Sequence, residues 1–331
     1  MRILNLIKKE WFLVGMLLAI ILAVFTPTVG QSHGVLHLDE VTQIGIGVIF
    51  FLYGVGLSPS AIKSGLSSWR LHIYTQAATF VIYPLIWVIL SSWFSRIMPQ
   101  ALAYGFCYLL VLPSTISSSV TMTGIAKGNI PGAIFNASLS SVLGIFLTPL
   151  FVQIFMGVHG GSMDISATII HIAEILLLPM IVGQIARPLL SKWVQRHKKV
   201  TGKIDKCVII LIVYNAFCDS VIKGIWHNFN LSTLILAIVL CAVILLFMIS
   251  LLLMLAKVCH FNHGDKMAGL FCGTKKTLAA GVPMAKVIFG TNPMLGMLLL
   301  PIMIYHPMQI FICAILANRY AKIAPESDTH H

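Results

Sequence analysis

The chain has 331 residues, of which 58% are hydrophobic and 10% charged, with a mean hydropathy of +0.94 and a formal net charge of +12. A composition this apolar excludes an ordinary soluble enzyme and marks an all-α polytopic membrane protein, with membrane lipid as its surroundings. The surplus of Lys and Arg is spread over alternate connections rather than gathered into one patch, so it follows the positive-inside pattern and excludes nucleic acid as a partner.

Apolar runs of about 20 residues, the length that crosses roughly 30 Å of hydrocarbon, recur along the whole chain. Ten are expected. The first, at 11–26, follows a basic amino-terminal stretch but lacks a small-residue cleavage site, so it is read as a helix rather than a signal peptide. The second, at 41–57, is rich in Gly. The third, at 70–95, carries interfacial Trp87 and Trp93.

The fourth, at 102–126, is interrupted by Pro113, after which Ser114, Thr115, Ser117, Ser118 and Ser119 crowd together, followed by Thr121 and Thr123. Proline removes a backbone donor and clashes with the preceding turn, so a helix breaks here. The fifth, at 130–156, presents Asn136 and Ser140 on one face. The sixth, at 165–186, carries His171 and Glu174, and a basic loop then holds Arg187, Lys192, Arg196, Lys198, Lys199, Lys203 and Lys206.

The seventh, at 204–226, carries Asn215, Asp219 and Lys223, and the eighth, at 232–256, is almost wholly apolar. A polar loop at 259–266 leads into the ninth, at 270–290, which is interrupted by Gly273, Thr274, Lys275, Lys276 and Thr277. The tenth is at 295–317. With both termini cytoplasmic, Arg96, Lys223 and Lys286 are the only cations left in outside connections, while Lys275 and Lys276 lie within a span. A lysine inside a membrane costs about 2.5–3.5 kcal/mol on insertion scales, so it faces protein, water or a ligand.

Weak internal repetition has a near-constant offset of about half the chain. Ser60–Gly65 matches Ser220–Ile225, Ala126-Lys127 matches Ala285-Lys286, and Pro113–Ser118 falls over Cys272–Thr277. Two five-span halves, at 1–160 and 161–322 with a tail at 323–331, are the economical division. Five is odd, so the halves are inverted. Inverted halves with a broken helix in each are the sequence mark of a secondary transporter with its site where the breaks meet.

Each polar group has a bland reading beside this one. The hydroxyls from Ser114 to Thr123 either offer oxygens to a solute or cation, or bond back to their own helix. Thr274, Lys275, Lys276 and Thr277 either meet an anion or stand in for a coupling cation, or else the lysines pair with Glu174 or Asp219. Glu174, with His171 nearby, and Asp219 are candidates for ion-pair or coupling roles, and Asp219 can also be neutralised by Lys223 four residues on. The cysteines show no CxxC spacing and read as small buried apolar residues; no metal or other cofactor is expected beyond Na+. No GxxxxGK[ST], HExxH or GxSxG motif is present, so neither ATP-driven transport nor a common hydrolase has support, and no enzyme is expected.

The stretch PSTISSSVTMTGIAKGNIPGAIFNASLSSVLGIFLTPL, together with GTKKTLAAGVPMAK, resembles the bile acid:sodium symporter superfamily, in its bacterial branch with a lysine pair in the ninth span. The resemblance covers essentially the whole chain. It implies ten helices in two inverted five-helix repeats, with discontinuous helices four and nine crossing. It also implies a core domain from spans 3–5 and 8–10 moving against a panel domain from spans 1, 2, 6 and 7. The implied activity is alternating-access transport of an organic anion, sterol-like or a small carboxylate, across the bacterial inner membrane.

The sodium pattern of that superfamily is only partly matched. Ser118 and Ser119 agree with it, and Asn136 and Ser140 offer an alternative, but the hydroxyl positions of span five fall on Ala133 and Ala137, and span nine has no acid before its lysines. The expectation is that a lysine ammonium takes the place of Na+. Two other readings stand beside transport: a non-transporting regulatory or sensor protein on the same fold, and a cation/proton exchanger.

Overall fold

The computed structural model describes residues 11–34, 36–56, 68–157, 165–228 and 230–324, with only the backbone described at 165–169, 171–173, 198–199 and 227–228. The 60–65 segment of the sequence repeat, with its Lys63, lies outside the described residues, as does most of the 323–331 tail. Among the described residues every regular element is helical. In chain order these are α1 (Trp11–Phe25), α2 (Pro27–Gly30), α3 (Leu38–Gly56), α4 (Trp69–Ala77), a π turn (Ala78–Ile82), α5 (Tyr83–Ile97), α6 (Gln100–Val111), α7 (Ser117–Ile125) and α8 (Ile130–Met156). There follow α9 (Ile165–Arg196), α10 (Lys198–Ile222), a short 3₁₀ turn (Ile225–Asn228), α11 (Leu231–Val258), α12 (His263–Thr274), α13 (Gly281–Phe289) and α14 (Leu295–Ile323).

Among the described residues six stretches are long and apolar enough to cross a membrane: α3, α4 through α5, α8, α9 from Glu174, α11 and α14. α1 and α6 are apolar but shorter. The chain is thus a polytopic, all-helical membrane protein, and the long apolar faces of its helices, such as Leu17, Leu18, Ile21 and Leu22 on α1, are exposed for lipid.

Both expected interruptions are present. α6 stops at Val111 and α7 starts at Ser117; α12 stops at Thr274 and α13 starts at Gly281. The expected basic loop is not a loop. α9 continues to Arg196 and α10 begins at Lys198, so the basic residues stand on helix ends. Lys and Arg propagate a helix well, and nothing between Leu189 and Arg196 breaks one. The polar 259–266 loop is also shorter than expected, because the Asn262 side chain caps the Asp265 N–H and starts α12 at His263.

The chain divides into two compact units. The first comprises Met1–Leu57, Ser162–Phe229 and Ala279–Leu300. Its centre is the crossing of α3 and α9, where a Cβ at Gly54 would fall on the Met180 carbonyl and a Cβ at Gly183 would fall on the carbonyl of Phe51. Backbones this close admit only glycine, as small residues do throughout membrane helix packing.

The second unit comprises Ser58–Gly161, Asn230–Leu278 and Pro301–His331. Here the break after α6 lies against α8, where a Cβ at Gly144 would stand 2.5 Å from Pro113 Cγ. The chain passes from the second unit to the first between Leu278 and Ala279, inside the ninth span, and returns at Pro301.

Of the seven cysteines, all free, Cys107, Cys218, Cys241, Cys272 and Cys313 are buried as expected, but Cys259 is only half-buried and Cys207 is exposed.

Candidate functional site

The two breaks in the second unit satisfy one another's backbones. A helix leaves its last carbonyls without intrahelical donors, and inside a membrane water does not supply them. At the end of α6, Pro113 has no N–H to give, and the Ser114 N–H is taken by Ser140 Oγ at 2.9 Å. The stranded carbonyls are met from elsewhere. Val111 accepts from Thr148 Oγ1 at 2.8 Å and Pro113 from the Thr277 N–H at 3.0 Å. Leu110 and Leu112 accept from Lys276 Nζ at 3.1 and 2.7 Å.

The third acceptor of Lys276 arises from a different irregularity. In the π turn the Tyr83 N–H bonds the Ala78 carbonyl, passing over Thr79, and the next residue, Pro84, has no N–H. The Thr79 carbonyl is therefore left without a helix donor. It accepts from Lys276 Nζ at 3.2 Å, and the face of the Tyr83 ring lies 4.0 Å from the same nitrogen. The ammonium is fully buried among three carbonyls and a π face, at the negative end of α6.

The end of α12 is met in the same way. Ser119 Oγ donates to the Phe271 carbonyl at 3.0 Å and Ser114 Oγ to Cys272 at 2.6 Å. The Tyr83 and Tyr305 hydroxyls lie 2.8 and 3.0 Å from the Thr274 carbonyl and 2.7 Å from each other, so one donates to the carbonyl and the other to its neighbour's oxygen. Thr274 Oγ1 bonds back to Leu270. Gln309 then holds Lys276 on both sides, accepting its N–H at 2.8 Å and donating to its carbonyl at 2.7 Å. Lys275 Nζ donates to the Ser118 carbonyl at 2.7 Å.

Thr115 Oγ1 joins Ser118 Oγ and Ser119 Oγ at 2.7 and 2.9 Å. The structure thus gathers Ser114, Thr115, Ser118, Ser119, Ser140, Thr274, Lys275, Lys276 and Thr277 around the two breaks. It does not gather the rest. The Ser117 and Ser119 carbonyls take the back-bonding hydroxyls of Thr121 and Thr123, the bland alternative for those two threonines. Ser117 itself is exposed. Asn136 belongs to a separate cluster, bonded to Gln76 Nε2 and to His72 Nδ1.

Asp219 accepts from the backbone and hydroxyl of Ser32 at 2.7 and 2.6 Å, and Glu174 is exposed. The side chain of His171 lies outside the described residues. Within the first unit, the ion pairs among the described residues are His33 with Asp39 and His37 with Glu40, and the expected pairing of Asp219 with Lys223 is not one of them. Within the second unit, the partners of both lysine side chains are main-chain carbonyls.

Lys286 is likewise not in an outside connection: it sits in α13, 7% exposed, donating to Asn215 Oδ1 at 2.7 Å. The sequence reading also missed Tyr83, Thr148, Tyr305 and Gln309. A glutamine in an apolar span was the available signal for the last of these, since a buried amide needs partners.

The chain's similarities fit this geometry. The profile of the SBF-like CPA transporter family matches residues 10–322. The chain is 42% identical over 311 residues to protein PA2026 of Pseudomonas aeruginosa, covering 94% of this chain and 92% of that one. It is 39% identical over 313 residues to YfeH of Escherichia coli (strain K12), named as a candidate symporter, at 94% and 92% coverage. It is 33% identical over 325 residues to sodium/bile acid cotransporter 7-B of Xenopus laevis, at 96% and 93% coverage. The chain belongs to the SBF-like CPA transporter family, within the bile acid:sodium symporter superfamily, and is an integral membrane transporter rather than an enzyme.

Proposed function

We propose that the chain is a secondary active transporter of an organic anion, sterol-like or a small carboxylate, that works by alternating access and in which a lysine ammonium occupies the seat of a coupling Na+. Ten spans in two inverted repeats, in a bacterial inner membrane with cytoplasmic termini, are the architecture we assign to it. The observation that carries the reading is Lys276. Its ammonium lies 2.7–3.2 Å from three main-chain carbonyls at the interruption of a membrane helix, an oxygen set that suits a small cation, with no acid bonded to it among the described residues of its unit. The relatives' printed names supply the sodium and bile acid classes. The residues themselves supply the departure from sodium.

The test is uptake of labelled cholate and succinate into proteoliposomes, with Na+ or choline outside. Carboxylate uptake that does not depend on Na+ is expected. Uptake that strictly requires Na+ and survives loss of both lysines would sink the lysine substitution. Movement of Na+ or H+ with no organic solute would favour an exchanger instead, and no flux of any kind would favour the sensor reading.

A further inference from the structure

The neighbouring lysines differ in how many of their protons are already taken. Lys275 ends α12 with φ −95° and ψ 144°, an extended conformation. Successive side chains of extended backbone point to opposite sides, so the two ammonium groups diverge, unlike neighbours on a helix. Lys276 is directed to the end of α6 and the π turn, and Lys275 to the first turn of α7.

An ammonium has three donors and no acceptor. All three donors of Lys276 have carbonyl partners at 2.7–3.2 Å. It has nothing left to offer a ligand. Lys275 has one such partner, the Ser118 carbonyl, and the Phe271 ring centroid 5.7 Å away. Two of its donors remain, in a side chain with no exposed surface. Among the described residues of its unit the titratable groups that face it are Cys272, Cys313 and His306, none of them a carboxylate.

Beside it stands a chain of hydroxyls. Ser119 gives its hydrogen to the Phe271 carbonyl, so Thr115 donates to Ser119 and Ser118 to Thr115, which leaves Ser118 at the end of the chain, where its hydrogen can turn to a new acceptor. Ser118 is half-buried and its neighbours Ile116 and Ser117 are exposed, so this flank of Lys275 is the approachable one. The flank toward Lys276 is closed by Tyr83, Tyr305 and Gln309, each buried.

We propose that Lys275 is the residue that receives the anionic oxygen of the solute, with the Ser118 hydroxyl as an adjoining donor, and that Lys276 is a stationary charge that never meets the solute. The proposal rests on the reading of the chain as an organic-anion transporter and deepens it by dividing the labour of the pair. A buried ammonium with open donors selects against neutral solutes, because only an anion offsets both its charge and its missing hydrogen bonds. The class assigned is therefore a carboxylate or sulfonate, and an ester of the same skeleton is rejected.

The experiment is reductive methylation of the purified full-length chain in detergent, followed by mass spectrometry of each lysine. It is carried out alone, with cholate below its micellar concentration, with succinate, and with cholate methyl ester. Lys275 is expected to be methylated at least tenfold faster than Lys276. At least one carboxylate is expected to slow Lys275 fivefold or more and leave Lys276 unchanged, with no protection from the ester.

Equal rates at the two lysines, protection of Lys276 rather than Lys275, or equal protection by the ester would overturn the proposal. Lys275→Arg, which keeps the charge, is expected to raise KM for the carboxylate with kcat retained within threefold, whereas Lys275→Met abolishes saturable uptake. Unchanged KM in Lys275→Met refutes the assignment. Selective protection of Lys275 in a chain with no flux would uphold the docking role and refute transport, so the two readings fail separately.

Discussion

Lys276→Met isolates the carbonyl cage. Methionine nearly fills the volume of the lysine stem but brings no donor, so the Thr79, Leu110 and Leu112 carbonyls lose a partner together. A buried acceptor left unsatisfied costs about 1–3 kcal/mol, or roughly 3–9 for three of them. Against this, the substitution removes the several kcal/mol that burying an ammonium costs. Because the cage has no exposed surface through which water enters cheaply, the lost bonds win, and the net destabilisation is about 3 kcal/mol.

An unfolding entropy of about 2.1 cal/mol/K per residue gives about 0.7 kcal/mol/K for 331 residues, hence a Tm lower by about 4 °C. Thermal unfolding in detergent, followed with a thiol-reactive dye, reads this directly, because Cys107, Cys218, Cys241, Cys272 and Cys313 are buried until the chain opens. A variant that melts within 1 °C of the parent, or above it, would show that the cage contributes nothing beyond the cost of the charge, and the reasoning from carbonyl satisfaction would be wrong.

Gln309→Leu strips partners from both the N–H and the C=O of Lys276 and is expected to destabilise by about 2–4 kcal/mol in the same melt. Pro84→Ala gives the Thr79 carbonyl a helix donor. Its effect should therefore depend on Lys276, with a double-mutant coupling of about 0.5–2 kcal/mol against Lys276→Met, and strict additivity would refute the link. In the first unit, Asn215→Leu removes the hydrogen-bond acceptor of the Lys286 ammonium and should cost about 1–3 kcal/mol, while Asn215→Asp, which restores an acceptor, should cost clearly less. Gly183→Ala forces α3 and α9 apart at the Phe51 carbonyl, and a loss of less than about 1 kcal/mol would contradict the observed backbone contact.

What was legible in the sequence followed from chemistry that acts locally. Pro113 removes an N–H wherever it stands, and Lys275-Lys276 is costly in any apolar run, so both interruptions were visible without tertiary information. The partners of those groups were not. The acceptors of Lys276 are main-chain carbonyls, which every residue carries and none advertises. One of them is free only because a π turn and Pro84 coincide. The same ambiguity hid the fate of the hydroxyls: Ser119 caps the α12 end while Thr123, four residues on, bonds back to its own helix. Lys286 was misplaced because its acceptor, Asn215, is 71 positions away and the carboxylates whose charge reaches it, Asp219 and Asp39, are also distant in sequence.

The cation at the first break is covalently part of the chain. A free ion leaves its seat when the bath is diluted, and its occupancy follows external salt. A tethered ammonium is present at an effective concentration that no change of medium alters. The junction between α6 and the π turn is therefore held alike in brine and in fresh water. A seat that cannot empty also cannot be filled from one side of the membrane and vacated to the other, so whatever drives the cycle enters by another door.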